Sequence, residues 1–410
     1  MSPGLCRSEL ETFTALDWRQ LESRLAPDVR AALEKVLETH DGGTLSYEEC
    51  LRLAQAEGND LLGLLSAADR LRKELVGDVV TYIVNRNINF TNVCFIGCKF
   101  CAFSRGPRDS DAYFLSLEEV VRKAVEAWER GASEVCIQGG LPRILPAFYY
   151  RDILRGVKEA VPAIHTHAFS PMEVVYGVEL TRMPLGDYLA MLKAEGLGTL
   201  PGTAAEILDD PVRVVLSRNK LSVRQWREVI TTAHRCGLRT TSTLMYGHVE
   251  TPAHWVNQLL LFRQIQKETG GFTEFVPLGF IHANTLLFQQ GIARPGPTLE
   301  EHLKIHALAR VLLAGAIHNI QVSWVKLGRG LSQLCLQAGA NDYGGTLMEE
   351  NISRLAGATA GQYVSPEEFH ERIRELGRIP AERNTTYTKL RFNAEVSPPP
   401  ASAGQWEGRA

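Results

Sequence analysis

The chain has 410 residues, of which 45% are hydrophobic and 22% are charged, so it can bury a large core. Its 44 basic and 47 acidic residues give a formal charge of -3, which excludes a basic footprint for nucleic acid or for an anionic membrane surface. Its first residues are not a basic segment followed by an apolar one, and no run approaches the roughly 18 apolar residues of a membrane span. A cytoplasmic protein is expected, whose 8 cysteines are not a disulfide framework.

Residues 1–78 are predicted to be helical throughout. Ser46 and Glu49 have the spacing of a capping box, and apolar residues follow them at helical intervals. A second helix is expected to end before Gly77. We interpret this segment as an N-terminal helical cap on a larger domain.

The character of the chain changes at Val79, where β-branched and aromatic residues begin a first predicted strand. Strand and helix signals then alternate over residues 79–345. Such units imply a parallel sheet with right-handed crossovers, and their number favours a closed α/β barrel of the (β/α)8 type. The predicted strands are 79–84, 134–138, 164–169, 197–200, 239–245, 274–278, 319–323 and 339–342.

Two segments follow the predicted barrel. Residues 346–392 are expected to form a helical extension, because Ser365 and Pro366 are typical of a helix start and the apolar pattern continues to residue 376. Residues 393–410 are polar and rich in proline, and are predicted to be disordered.

The most informative motif lies just past the first strand, where Cys94, Cys98 and Cys101 have the spacing C-x-x-x-C-x-x-C. A closed zinc site needs four ligands, and ferredoxin runs also supply four cysteines per cubane cluster. Three thiolates would leave one iron of a 4Fe-4S cluster open to a small molecule. The alternatives are zinc completed by a distant residue, inert core cysteines, and a redox pair at Cys98 and Cys101.

Polar residues at the ends of other predicted strands are candidates for the same site, since barrel enzymes build their sites there. His165 and His167 alternate on one strand and share a face, which either lines the pocket or packs under a helix. Ser170 follows that strand and is within reach of a ligand. Tyr246 and His248 end the fifth strand and are candidate substrate contacts, with a salt-bridged loop as the alternative.

The cysteine loop resembles that of the radical S-adenosylmethionine (SAM) enzymes. The resemblance implies that the open iron chelates SAM and that an electron from the cluster breaks its C–S bond. It also implies that Gln138, Gly139 and Gly140 receive the SAM ammonium on backbone carbonyls, although an ordinary turn would also use the glycines. Phe100 resembles the aromatic beside adenine or is a core residue, and Glu206 resembles a ribose ligand or is a helix-start acid.

Longer motifs resemble one subfamily, the tyrosine-handling enzymes that help make the deazaflavin FO (7,8-didemethyl-8-hydroxy-5-deazariboflavin) of coenzyme F420. Radical SAM enzymes of the menaquinone route share some of these motifs and remain an alternative. A non-catalytic electron-transfer protein is a second alternative. The stretches that carry the subfamily resemblance are 89–94, 137–141, 165–171, 202–208, 245–251, 271–278 and 323–328.

The resemblance implies a reaction and its partners. L-tyrosine would be cleaved, its 4-hydroxybenzyl group added to 5-amino-6-(D-ribitylamino)uracil, and 2-iminoacetate released. A second radical SAM subunit would complete FO, because this chain has a single C-x-x-x-C-x-x-C motif. An electron donor is also implied.

Overall fold

The structure is a computed structural model that describes residues 18–203 and 205–392. The predicted disordered tail, 393–410, lies outside the described residues. Within the described part of the chain, no helix is both long and apolar enough to cross a membrane. The strands are β1 Val79–Ile83, β2 Asn85–Ile88, β3 Glu134–Ile137, β4 His165–Ala168, β5 Thr199–Leu200, β6 Arg239–Tyr246, β7 Phe272–Gly279, β8 Asp342–Gly345, β9 Ile379–Arg383 and β10 Leu390–Phe392.

Helices follow most of the strands, as the alternating pattern predicts. Short 3-10 helices occur at Glu22–Arg24 and Gly42–Thr44. The α-helices are α1 Trp18–Leu21, α2 Pro27–Thr39, α3 Tyr47–Ala54, α4 Gly58–Val76, α5 Leu117–Glu129, α6 Tyr149–Ala160, α7 Pro171–Thr181, α8 Leu185–Ala194, α9 Asp210–Leu216, α10 Val223–Arg235, α11 Pro252–Thr269, α12 Leu286–Gln289, α13 Leu299–Leu313, α14 Trp324–Gln337, α15 Ile352–Ala356 and α16 Pro366–Glu375.

The strands form the wall of a parallel barrel. One sheet has the order β2-β3-β4-β5-β6-β7, and a second has the order β10-β9-β1-β8. Isolated bridges from Phe275 to Ile320 and from Gln321 to Asp342 join β7 to β8. Hydrogen bonds from Thr346 N to Ile83 O (3.0 Å) and from Asn87 N to Leu347 O (2.9 Å) return the wall to its first strand. The predicted α/β barrel is therefore confirmed, with eight strand positions.

Three strand predictions need correction. The predicted eighth strand, 339–342, forms instead as β8 at Asp342–Gly345. The first strand continues as β2 beyond the predicted end at residue 84, because its amides at Asn85 and Asn87 face the cavity and break the apolar pattern that strand prediction uses. At the predicted seventh strand, 319–323, only isolated bridges form, and α14 begins at Trp324.

The N-terminal helices pack on the side of the barrel. They contact α11 and α13, and Gly42 N donates to Ala314 O at 3.1 Å. The predicted capping box at Ser46 is present at the start of α3. None of the described residues before Val79 lines the central cavity. The cap therefore supports the outer helices and does not cover the strand ends.

The C-terminal extension is not purely helical, so that prediction is wrong in part. After α16 the chain forms β9, which pairs in parallel with β1, and β10, which pairs antiparallel with β9. Pro380 and the charges of this segment hid the strand, since proline is confined to sheet edges and bulges. Arg383 at the end of β9 bonds Asp342 Oδ2 at 2.6 Å and brings the extension into the barrel interior.

Candidate active site

A cavity of about 450 Å³ occupies the barrel and opens at the carboxyl ends of its strands. Residues within or just past each strand of the wall line it, including Asn89, Gln138, Ser170, Met245 and Leu347. This is the position at which barrel enzymes build their active sites. Of the sequence-predicted residues, the structure brings ten to the cavity: Cys94, Phe100, Cys98, Cys101, Gln138, Gly139, Gly140, His167, Ser170 and Glu206.

The cysteine loop is held by backbone hydrogen bonds. Cys94 N donates to Arg105 O at 3.0 Å, and Cys101 N donates to Cys98 O at 3.1 Å. Gly97 has a φ of 72°, a conformation that glycine adopts without a steric penalty. The loop thus turns all three thiols toward the cavity, and each of them is a free cysteine.

The three thiols fit a cubane cluster in their chemistry. Burial raises the pKa of the Cys98 thiol to about 11 and also raises the pKa of Cys101, so metal binding must displace protons. Among the described residues, no three His, Cys, Asp or Glu side chains converge as ligands of one metal ion do. A cubane binds its thiolates through separate iron atoms and does not require that convergence.

The glycine pair packs against the cysteine loop. A Cβ on Gly140 would lie 2.3 Å from Val93 O, and one on Gly139 would lie 2.6 Å from the Phe90 ring. Larger residues would therefore displace the loop. Among the described residues, no donor contacts the carbonyls of Gly139 and Gly140, so those oxygens remain available to a ligand, whereas Gln138 O accepts from Asn89 Nδ2 at 3.1 Å.

Glu206 belongs to an ion pair that the sequence did not reveal. Its Oε1 lies 2.6 Å from Lys220 Nζ, and that nitrogen lies 5.0 Å from the centre of the Phe100 ring. Burial opposes the charge of Lys220, but Glu206 and Cys98 outweigh it and raise the pKa of Lys220. Glu206 has a φ of 38° and precedes α9, so the helix-start alternative is wrong. Phe100 and Lys220 form one wall beside the cysteine loop.

Ser170 acts through Glu173, a cavity residue that the sequence analysis missed. The Ser170 hydroxyl caps α7 and donates to Glu173 Oε2 at 2.6 Å. Glu173 Oε1 accepts from Gly139 N at 3.0 Å, and the side chain is 1% exposed. Burial raises the pKa of Glu173 to about 7, since hydrogen bonds from Ser170 and Gly139 offset only part of the desolvation. The capping-box spacing from Ser170 to Glu173 was readable in the sequence.

His165 and His167 share one face of β4, as the alternation predicts. Thr199 Oγ1 lies 2.9 Å from His165 Nε2 and 2.7 Å from His167 Nδ1. Burial lowers the pKa of His167 to about 4 and also lowers the pKa of His165, so both rings are neutral at pH 7. Only His167 lines the cavity, because His165 lies two residues nearer the amino end of the strand.

The structure does not bring Tyr246 or His248 to the cavity, so their prediction as catalytic residues is not supported by the geometry. Strand alternation directs Thr243 and Met245 inward and Tyr246 outward. Tyr246 Oη lies 2.7 Å from His302 Nδ1 among the outer helices. The nitrogens of His248 are used locally, since Nε2 donates to Met245 O (2.9 Å) and Nδ1 accepts from Val249 N (2.7 Å).

The loop after β6 is held by a salt bridge, which was the alternative to a substrate-binding role for Tyr246 and His248. Glu250 Oε1 accepts from Gly247 N at 2.6 Å and lies 3.1 Å from Arg294 Nη2. This arrangement fixes the loop, and the side chains of His248 and Glu250 are both buried. The loop is therefore a structural support for β6.

A layer of paired charges closes the lower end of the cavity. Arg383 bonds Asp342 and lies 3.3 Å from Glu274 Oε2, which also accepts from the Tyr387 hydroxyl. Burial raises the pKa of Glu274 to about 7, although Arg383 opposes the shift. Thr385 donates to Glu134 Oε2 at 2.7 Å. The C-terminal extension thus forms the cavity floor. In the sequence, the sign of this floor was the presence of the acids Glu134, Glu274 and Asp342 on otherwise apolar barrel strands.

Two family models match the chain. Residues 88–261 match the radical SAM superfamily, and residues 269–396 match the CofH/MqnC C-terminal region. The first range begins at the end of β2 and includes the cysteine loop. The second includes α14 and the C-terminal strands that close the cavity floor.

Curated relatives match most of the chain. The FO synthase of Nocardia farcinica is 53% identical over 367 residues, which are 90% of this chain and 42% of that relative. The FO synthase of Mycobacterium tuberculosis (strain H37Rv) is 51% identical, covering 90% of this chain and 43% of that relative. The chain therefore spans less than half the length of these relatives. The 5-amino-6-(D-ribitylamino)uracil–L-tyrosine 4-hydroxyphenyl transferase of Methanothermobacter thermautotrophicus is 48% identical over 363 residues, which are 88% of this chain and 99% of that relative.

Solved structures share the fold. Methylornithine synthase (PylB) superposes with a TM-score of 0.66 at 19% identity and covers 85% of this chain and 97% of its own. The FeFe-hydrogenase maturase HydG from Carboxydothermus hydrogenoformans has a TM-score of 0.68 at 16% identity, covering 93% and 86% of the two chains. At these identities the likeness shows the barrel fold alone.

Proposed function

Since the chain belongs to the radical SAM superfamily, and within it to the family of the Methanothermobacter thermautotrophicus 4-hydroxyphenyl transferase, we propose that it cleaves L-tyrosine. The 4-hydroxybenzyl group is transferred to 5-amino-6-(D-ribitylamino)uracil, and 2-iminoacetate is released. The observation that carries this proposal is the 48% identity that extends over 99% of that relative.

Enzymes of this superfamily use a 4Fe-4S cluster and SAM. When bound, these groups supply the one-electron cleavage that starts radical chemistry. We assign Cys94, Cys98 and Cys101 as the protein ligands of the cluster, because the loop turns all three thiols into one cavity. The fit of the thiols supports this assignment.

The residues around the loop are suited to hold SAM. The uncommitted carbonyls of Gly139 and Gly140 are acceptors for an ammonium group. Glu206, paired with Lys220, offers a carboxylate to a ribose, while Phe100 offers an aromatic face. The ion pair holds both side chains in place, so this part of the wall is fixed before a ligand arrives.

The remaining cavity residues orient the two substrates and exclude water. The neutral ring of His167 presents Nε2 to the cavity while Thr199 holds its Nδ1, so it can donate or accept one hydrogen bond without a charge. The amides of Asn87 and Gln321 line the same space and suit the edges of a pyrimidine ring. The closed floor and the wall hold reacting groups together and keep bulk water away.

Three parts of the proposal concern the surroundings of the enzyme. A second radical SAM unit, on a partner subunit or on a further domain, completes FO, because residues 1–410 contain one C-x-x-x-C-x-x-C motif. An electron donor reduces the cluster. The proposed location is the cytoplasm, since free thiols persist in a reducing compartment.

The test is anaerobic reconstitution with iron and sulfide, followed by mass spectrometry of the products. With SAM, a reductant, tyrosine and 5-amino-6-(D-ribitylamino)uracil, we expect 5′-deoxyadenosine and an adduct whose mass is that of the uracil plus a hydroxybenzyl group. Turnover of enolpyruvyl-benzoate substrates in place of tyrosine would instead assign the chain to the menaquinone route.

A further inference from the structure

The charges on the cavity wall are almost all paired within the protein. Of the residues that the structure describes, three Lys or Arg side chains line the cavity: Lys220, Lys326 and Arg383. Lys220 is paired with Glu206 at 2.6 Å, and Arg383 is paired with Asp342 at 2.6 Å. Among the described residues, no carboxylate lies within ion-pair distance of Lys326, and no acceptor bonds its Nζ.

The cavity carboxylates are already committed to other donors. The acid whose charge acts on Lys326 is Glu350, but its oxygens accept from Ser353 N at 2.9 and 3.1 Å and from Arg354 N at 3.3 Å. Glu173 is bonded to Ser170, and Glu134 to Thr385. A cation that is partly desolvated in a cavity and has no counter-ion is costly, so an anionic ligand at Lys326 would be favoured.

Lys326 has a fixed position in the first turn of α14. Trp324, two residues before it, is buried and donates from Nε1 to Gly345 O at 2.9 Å. The hydroxyl of Ser323 lines the same wall and is a second donor for a ligand. Burial lowers the pKa of Lys326, while Glu350 opposes the shift.

The topology separates Lys326 from the residues assigned to the cluster and SAM. Those residues follow β2 to β5. We call this set, which runs from Cys94 to Lys220 and leaves out His167, the cofactor side. Lys326 and Glu350 follow the seventh strand position and β8, and we call the lining residues from Thr241 to Ala356 the substrate side. An anion bound at Lys326 is therefore on the substrate side.

We propose that Lys326 binds the α-carboxylate of the amino-acid substrate, with Ser323 as a neighbouring hydrogen-bond donor. Lys326 is thus a binding residue that places the amino-acid backbone on the substrate side and directs the side chain into the remaining cavity. This inference rests on the proposed tyrosine-cleaving function, since it requires an amino-acid substrate.

The test compares ligands that differ only in the carboxylate. Equilibrium dialysis of the anaerobically reconstituted enzyme with SAM measures the binding of tyrosine and of tyramine. We expect the wild type to bind tyrosine about 10- to 100-fold more tightly than tyramine, as for a hydrogen bond to a charged group. Lys326→Met should bind the two ligands equally, and Lys326→Arg should retain part of the preference.

The matched control is Lys304→Met, because Lys304 is a buried lysine that lies on α13 outside the cavity. It should keep the preference, and all variants should bind 5-amino-6-(D-ribitylamino)uracil as the wild type does, which shows that they are folded. A full tyrosine preference in Lys326→Met overturns this inference, as does a wild type that binds tyramine as tightly as tyrosine. A wild type that binds neither ligand overturns the proposed function as well.

Discussion

The cofactor side and the substrate side of the cavity differ in how their charges are satisfied. On the cofactor side, Glu206 and Lys220 neutralise each other and Glu173 is held by Ser170 and Gly139. On the substrate side, Lys326 is left without a counter-ion among the described residues. The wall assigned to the cluster and SAM therefore satisfies its own charges, whereas the opposite wall leaves the charge of Lys326 available to a ligand.

The largest expected effect is on the cofactor side. Cys98→Ala removes one of three thiolates, so we expect loss of SAM cleavage by at least about a thousandfold, because the whole radical reaction depends on the cluster. The measurement is the 5′-deoxyadenosine formed under reducing conditions. Cys236→Ala is the control, since Cys236 ends α10 outside the cavity and should leave cleavage unchanged. Equal cleavage in the two variants would disprove the assigned ligand set.

A pair of lysine variants separates the two sides. Lys220→Met removes the cation 2.6 Å from Glu206 and leaves only Arg213, whose Nη1 lies 3.7 Å from Glu206 Oε2, so we expect the apparent affinity for SAM to fall about 10- to 100-fold while tyrosine binding changes little. Lys326→Met should do the reverse. Titrations of each reconstituted variant with SAM and with tyrosine check the pattern. If both variants weakened the same ligand, the division into two sides would be wrong.

One buried carboxyl on the cofactor side, Glu173, and one on the substrate side, Glu274, should each make the stability of the protein depend on pH. Burial raises the pKa of Glu173 and of Glu274 to about 7, above the ordinary 4.5. The stability that each protonated carboxyl contributes is complete below about pH 4.5 and is lost as the pH rises through 7. Glu173→Gln and Glu274→Gln should each reduce the loss of unfolding free energy between pH 5 and pH 8 by on the order of 2 kcal/mol. Denaturant titrations that gave both variants the wild-type pH dependence would contradict these shifts.

The smallest effect on activity is expected outside both sides. Tyr246→Phe removes the hydrogen bond to His302 but no cavity group, so turnover should stay within about twofold while the free energy of unfolding falls by about 1 kcal/mol. Steady-state rates and denaturant titrations test this expectation. A turnover defect as large as that of Lys326→Met would restore Tyr246 as a candidate catalytic residue.

The cofactor side could be predicted from the sequence because its signals are local. Cys94, Cys98 and Cys101 lie within one loop, and the glycine pair directly follows a strand. The barrel was predictable for the same reason, since each strand and helix pair carries its own periodicity. The structure adds a reason for Gly139 and Gly140 that spacing could not give, namely their contact with Phe90 and Val93.

The substrate side was less predictable because its contacts are long-range. Arg383 reaches Glu274 across more than a hundred residues of sequence, and the strand that carries Arg383 contains a proline. Tyr246 was misassigned because one residue of register decides whether a strand side chain faces the cavity or the helices. Lys326 was part of a recognised motif, but its lack of a partner is a property of the folded cavity.

The most direct test of the central claim is Mössbauer spectroscopy of the anaerobically reconstituted protein, with and without SAM. Three protein thiolates and one accessible iron predict a 4Fe-4S spectrum in which the signal of a single iron changes when SAM is added. Zinc in place of iron, or a cubane whose four irons are all unaffected by SAM, would contradict the account.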